Sequence, residues 1–253
     1  MRCACEIRRA AREALGGGRY WPFVGGNFLL GVLSGLLTVV PLIVVTVMTV
    51  VGVVALLDGH PEVESPRMAA QCLFDAYGRE TVLAGLAVWL FVVANLVLIP
   101  AVYACGFMSW GQSALALAAV RRDLRFEHAM SGWGHGWKMG WVVAVQWTYL
   151  TLWFLLFFPV GLVKLFSYVM TPFVAVEHPD WSANACITAS RQMMAGRRWR
   201  FFCLHLSFIG WWLLLGLLSA FGGGVATLFF MPYPLTASAV FYDELKRGRE
   251  AVD

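Results

Sequence analysis

Residues 141–176 read WVVAVQWTYLTLWFLLFFPVGLVKLFSYVMTPFVAV, an apolar run whose only charge is Lys164. A membrane span needs about 20 mostly apolar residues, so this run is too long for one perpendicular helix and suits two. Pro159 and Gly161 divide it into 141–158 and 160–176, each about 27 Å long as helix. The expectation is a tight hairpin of two spans turning at Pro159–Gly161.

The same logic works outward. Downstream, 201–242 divides at Gly222, Gly223 and Gly224, whose permissive backbone suits a turn, giving spans 201–221 and 224–243. Upstream, 23–57 is read as one tilted or kinked helix, because a break at Pro41 would leave two half-length pieces and invert the sidedness of everything after it. The span 81–108 carries Asn95 and Pro100, both tolerated where they face other helices. The fold expected is therefore all-α: a polytopic transmembrane helical bundle of six spans. A single membrane domain, 21–245, lies between a basic amphipathic segment, 1–20, and a tail, 246–253. Composition agrees, since 60% hydrophobic and 13% charged residues over 253 positions exclude a soluble domain, a disordered chain and a disulfide-rich module.

Charge placement tests the count, because Lys and Arg accumulate in cytoplasmic loops near span ends. Arg2, Arg8, Arg9, Arg12 and Arg19 precede the first span, and Arg121, Arg122, Arg125 and Lys138 follow the second. Arg191, Arg197, Arg198 and Arg200 follow the fourth, and Lys246, Arg247 and Arg249 follow the sixth. Arg67 and Arg79 fall in the opposite loop among Asp58, Glu62, Glu64, Asp75 and Glu80. Six spans with both termini cytoplasmic put the basic clusters on one side; four spans would place Arg191 to Arg200 with the acidic loop.

Three segments outside the spans read as helices. Glu6 to Leu15 and Ala114 to Met130 alternate apolar and basic residues as short interfacial amphipathic helices do. Ser182 can cap a helix ending at Gly196, with Ile187 and Met194 on one face. Ordinary topogenic charge accounts for the same basic residues. The six cysteines scatter between compartments; Cys72 stands alone in the outer loop, so no structural disulfide is expected, and the Cys3-x-Cys5 pair lacks the further ligands a zinc site needs.

Candidate chemistry is sparse. Lys164 is an intramembrane cation that either snorkels to water or contacts an anionic ligand or lipid headgroup, and with Arg197, Arg198 and Arg200 it forms the set of candidate lipid or ligand contacts. Asn95, Gln146, His205 and Ser207 are candidate polar contacts between helices. Glu177 and His178 are adjacent but cannot face one another on a helix, and a loop or helix-start role is expected for them. Gly134, His135 and Gly136 between Trp133 and Trp137 read as flexible backbone among interfacial aromatics. The sequence holds no H-E-x-x-H, P-loop or G-x-S-G string, so no catalytic, metal or cofactor residues are assigned. The net charge of +4 follows from sidedness and gives no support for nucleic-acid binding.

Three runs carry a resemblance: LWFLLFFPVGLVKLFSYVMTPFVAVEHPD at 152–180, SRQMMAGRRWRFFCLHLSFIGWW at 190–212 and PYPLTASAVFYDEL at 232–245, with AREAL at 11–15. Together they resemble the bacterial integral membrane family catalogued as domain of unknown function 975. One departure is that Val160 separates Pro159 from Gly161, where the family usually has Pro directly before the turn Gly. The resemblance implies a helical membrane fold in the bacterial inner membrane and implies no activity. More distantly, the order of span, acidic-Pro loop, amphipathic helix and span is similar to membrane domains attached to some glycerophosphodiester phosphodiesterases, where those domains are not catalytic.

The function expected is that of a non-enzymatic scaffold or accessory subunit presenting basic cytoplasmic helices to membrane lipids, a protein partner or a second copy of itself. The alternative is a transporter or permease-like component for a lipid, peptide or other amphiphile, with a polar cavity near Asn95, Gln146 or Lys164.

Overall fold

The computed structural model describes residues 3–58, 78–222 and 225–250, and helix is the only regular structure among them. Cys72, the acidic loop and the Gly223–Gly224 turn lie outside the described residues. The helices are α1 (Ala4–Leu15), α2 (Tyr20–Asp58), α3 (Arg79–Val120), α4 (Glu127–Met130), α5 (Gly132–Leu156), α6 (Phe158–Tyr168), α7 (Thr171–Glu177), α8 (Ala183–Met193), α9 (Arg198–Leu206), α10 (Ile209–Gly222), α11 (Val225–Phe230) and α12 (Pro232–Glu250). The chain divides into two compact units, Gly35–Ala101 and the remainder.

Within Gly35–Ala101, α2 continues through Pro41 and α3 through Pro100 without a break. The large apolar side chains here, including Ile43, Met48, Leu90 and Phe91, point outward. Such a continuous apolar exterior has its proper solvent in lipid. Thr46 satisfies its hydroxyl on the carbonyl of Leu42 one turn back, a local solution for a polar group on an apolar helix.

The other unit holds the core, formed by Phe23, Leu30, Phe107, Leu115, Met139, Met170, Phe201, Leu204, Phe241 and Leu245 among others. Glycine sets its closest helix approach. Gly132, Gly136 and Gly140 recur every fourth residue on α5 and meet α3, where a Cβ on Gly106 would stand 2.0 Å from the carbonyl oxygen of Gly136. Small residues at that spacing let two backbones touch. Gly136 thus serves close packing rather than the flexible backbone expected of it, and His135 stacks on Trp110 at 4.4 Å. Gln112 Nε2 donates to Asn27 Oδ1 at 2.9 Å, tying α3 to the first turns of α2.

Among the described residues, four helices are long and apolar enough to cross a membrane, Tyr20–Val51, Arg79–Val120, Gly132–Leu156 and Phe158–Glu177, and a fifth arises if α9 and α10 count as one span bent by 43°. Of the six expected spans, four or five thus meet the length and apolarity of a span among the described residues. The segment 224–243 is divided into α11 and α12 at Met231, because Pro232 has no N–H to continue a helix and opens a new one instead. The hairpin of α5 and α6 is present, but its turn is the extended residue Phe157 (φ −161°, ψ 108°), with Pro159 inside the first turn of α6. Gly161 is required for space: its Cβ would lie 2.6 Å from the ring of Phe154.

The interfacial helices are also redrawn. The first exists as α1, yet Ile7, Ala11, Ala14 and Leu15 are buried, with α1 packed along α12. Ala114 to Val120 prolong α3, and Ala114 to Ala119 are buried, so no separate surface helix runs to Met130. A turn containing Arg122 at φ +61° precedes the short α4. The third expectation holds at its start, where the Ala185 N–H donates to Ser182 Oγ, and the helix ends at Met193 before Gly196 at φ +72°. Cys3 and Cys5 form a disulfide, contrary to the expectation of none: α1 begins between them and their Cα atoms lie 5.4 Å apart, within bridging range.

Candidate functional site

α8 crosses the α5–α6 hairpin. Ile187 packs between Leu150 and Tyr168, the Ser190 hydroxyl donates to the carbonyl of Ser167 at 2.9 Å, and Tyr149 donates to Asn184 Oδ1 at 3.3 Å. The register follows from the i, i+3, i+7 spacing of Asn184, Ile187 and Arg191, which sets all three on one side of α8. The crossing leaves a pocket of about 380 Å³ lined by Tyr149, Leu152, Trp153, Lys164, Tyr168, Asn184, Ile187, Thr188 and Arg191. Lys164 Nζ stands 4.5 Å from the centroid of the Trp153 ring, a cation–π contact that holds the ammonium over an aromatic wall. Neither Lys164 nor Arg191 forms an ion pair among the described residues, and no carboxylate lines the pocket. Two uncompensated cations, hydroxyl and amide donors and an apolar rim can hold an anionic group that carries an apolar substituent.

Of the expected ligand contacts, only Lys164 is in this pocket. Arg197 reaches toward Gly248 on α12, and the Nε of Arg198 is buried without a hydrogen-bond partner. Neither they nor Arg200 join Lys164. The residue that does, Arg191, shows a signal in sequence: it lies in the last turn of a helix whose Ser182 cap and apolar face are both readable. What was hidden is that α8 lies across α5 and α6, a long-range fact.

The expected interhelical contacts resolve differently. Asn95 Nδ2 donates to the carbonyl of Phe91, His205 Nδ1 meets that of Phe201, and Ser207 donates to that of Leu204, so each turns back on its own helix. A carbonyl three or four residues back is always within reach, whereas a partner on another helix must be built. Gln146 Oε1 is buried with no hydrogen-bond partner.

A second polar centre joins helix ends. Glu177, at the end of α7 and almost wholly buried, accepts from Lys246 Nζ at 2.9 Å, from Tyr242 OH at 2.8 Å and from Arg121. One carboxylate thus ties together the ends of α3, α7 and α12. Its neighbour His178 stacks on Trp181 at 4.1 Å. The carboxylate is buried while Arg121 and Lys246 remain partly exposed, so the knot joins helix ends beneath a basic surface. No group of three or more His, Cys, Asp or Glu side chains stands together as a metal site among the described residues.

Residues 81–249, the stretch containing both centres, match the family described as Protein of unknown function (DUF975). The chain belongs to this family. The DUF975 match covers α5 to α12 and nearly all of α3, so the pocket at Lys164 and the junction at Glu177 both lie within the family's own region. No curated protein and no solved structure matches the chain.

Proposed function

We propose that this protein is a non-enzymatic scaffold or accessory subunit of the bacterial inner membrane, with both termini cytoplasmic, that offers a basic helical layer to anionic lipid and through it to a partner. The observation that carries the reading is the pocket at the α8 crossing, where Lys164 and Arg191 converge without an acidic partner beside an exposed apolar hairpin tip that includes Leu155, Leu156, Phe157 and Phe158. That combination suits a phospholipid: the cations meet the phosphate, and the tip enters the acyl region.

Six apolar legs enter the bilayer in this reading. Two further ones come from the α9–α10 and α11–α12 pair, whose antiparallel register continues past both breaks. Phe201 meets Phe241 at 5.2 Å, and Phe208, Trp211 and Trp212 all meet Phe230 within 6.1 Å. The α5–α6 legs are limited by α8, on which Asn184, Thr188, Arg191 and Gln192 make an exposed polar face beside the buried Ile187. A helix with that face belongs at the headgroup level, and Phe157 lies only seven residues beyond its contact at Leu150, about 10 Å of helix. The hydrocarbon core is about 30 Å thick. The Phe157 turn therefore ends inside the bilayer, and an even number of crossings still returns the chain to the cytoplasm.

The test is cysteine accessibility at single introduced sites in intact cells and inverted vesicles. Position 157 is expected to resist an impermeant maleimide from both sides and to react once detergent is added, while position 192 reacts from the cytoplasmic side only. Labelling of 157 from outside would make α5 and α6 full spans; labelling of 192 from outside would overturn the sidedness itself. The transporter reading draws on the unpartnered Gln146 Oε1 within α5. It requires a water-filled path from that oxygen to the Lys164 pocket, which water-accessibility labelling at Val145 and Thr148 detects.

A further inference from the structure

A groove of about 570 Å³ opens where α1 lies against the broken hairpin of α10 and α11. Its floor and walls are Trp211, Leu214, Phe229 and Phe230, and its rim carries Arg8 and Arg12 from α1. The volume falls within the range of about 300–1,000 Å³ usual for ligand sites. Trp211 and Phe230 stack at 5.9 Å, giving the groove an aromatic wall, and Leu214 beside them is exposed.

The two arginines are the informative part. They are four residues apart on one helix, so they share a face, and like charges at that spacing repel. Neither takes part in an ion pair among the described residues, and the Nε of Arg8 is buried with no hydrogen-bond partner. A buried guanidinium donor left unmade is costly, and an anion between the two heads would satisfy the donor and remove the repulsion together. The wall beneath them is apolar and aromatic, so a hydrophilic anion would leave most of the groove unfilled. The anion that complements both halves bears a hydrocarbon chain.

We propose that this groove binds one anionic phospholipid of the inner leaflet, its phosphate between Arg8 and Arg12 and one acyl chain along Trp211, Leu214 and Phe229. The inference rests on the membrane reading above and adds a defined lipid class at a place distinct from the Lys164 pocket. Because α1 supplies the cations while α10 and α11 supply the wall, the bound lipid would join the helix at the start of the chain to the hairpin near its end.

The test is native mass spectrometry of the full chain released from detergent, titrated with phosphatidylglycerol and, separately, with phosphatidylcholine of the same acyl chains. Wild type is expected to retain two phosphatidylglycerols in preference to phosphatidylcholine, one in this groove and one at the Lys164 pocket. Arg8→Gln with Arg12→Gln is expected to weaken retention in the groove about tenfold or more, given what each cation adds near an anionic lipid. Leu214→Trp, which fills the groove and leaves both arginines in place, should weaken it too. Arg12→Gln alone covers the case in which the double variant fails to fold, since Arg12 is exposed. Lys164→Gln with Arg191→Gln removes the cations of the other pocket and should leave one phosphatidylglycerol adduct, which the Arg8 and Arg12 changes then abolish. Equal retention of the two lipids, no adduct left in the Lys164→Gln, Arg191→Gln variant, no loss in the Arg8 and Arg12 variants, or displacement of the lipid by millimolar inorganic phosphate would overturn the proposal. Carbonate extraction of cell membranes separates the two levels: a chain released by carbonate refutes the membrane reading, whereas a retained chain with no lipid preference refutes the groove alone.

Discussion

Glu177 shows what a single carboxylate can organise. Its three donors come from two other helices, so replacing it removes charge from one point and loosens three ends at once. Glu177→Gln keeps the shape but loses the charged hydrogen bonds and is expected to cost about 2 kcal/mol, read as a lower unfolding midpoint in detergent. Tyr242→Phe removes one neutral donor and should cost about half as much. Gly106 is a harsher site, since a methyl there would overlap the Gly136 carbonyl. Gly106→Ala is expected to force α3 and α5 apart and to lower thermal stability more than Gly85→Ala, where the same methyl meets open space. Burial pushes the thiol of Cys186 up, with Lys138 opposing only in part. Because the thiolate is the reactive form, Cys186 should alkylate more slowly than the exposed Cys105 at neutral pH, and the gap should narrow on unfolding. Residue chemistry of this kind was only partly legible. The charges near Glu177 stand out in the sequence, but their convergence on one acid depends on how α3, α7 and α12 meet.

At the scale of the helix, local rules located elements better than they located ends. Ser182 was readable as a cap because an N-cap needs only its own neighbours. Pro41 and Pro100 were correctly placed inside continuous helices. The turn of the α5–α6 hairpin was misplaced by two residues, because proline was read as a stop when it also suits the first turn of the next helix. The role of Gly161 was likewise misassigned to the turn; it is demanded by Phe154 on the facing helix, which no local pattern reveals. Gly161→Leu should therefore separate the hairpin legs and open the α8 crossing, detectable as faster proteolysis between α6 and α8. Ala114 to Ala119 show the opposite limit: a run of small residues after a span resembles a surface helix until its neighbours Phe23 and Met139 are seen to share its core.

For the molecule as a whole, the apolar composition announced a membrane protein, and the positive clusters supplied an expectation of its direction. The division of labour within it was not announced. Hydropathy separates apolar from polar residues, but it cannot tell a leg that crosses from one that enters and returns, since both are equally apolar. Nor could it show that α1, amphipathic and basic, would lay its apolar face on α12 rather than on lipid. Ile7→Ala should cost about 3 kcal/mol as a fully buried truncation and release α1 from α12, which an increase in hydrogen exchange over residues 4–15 would register. That pairing also bears on synthesis. α1 leaves the ribosome long before α12, on which its packing surface rests, so it waits through the synthesis of the helices between them before its partner exists. A chain stalled or cut short before α12 would carry an uncovered apolar stripe at the membrane surface, a visible mark of incompleteness that a protease or chaperone could read without inspecting anything else.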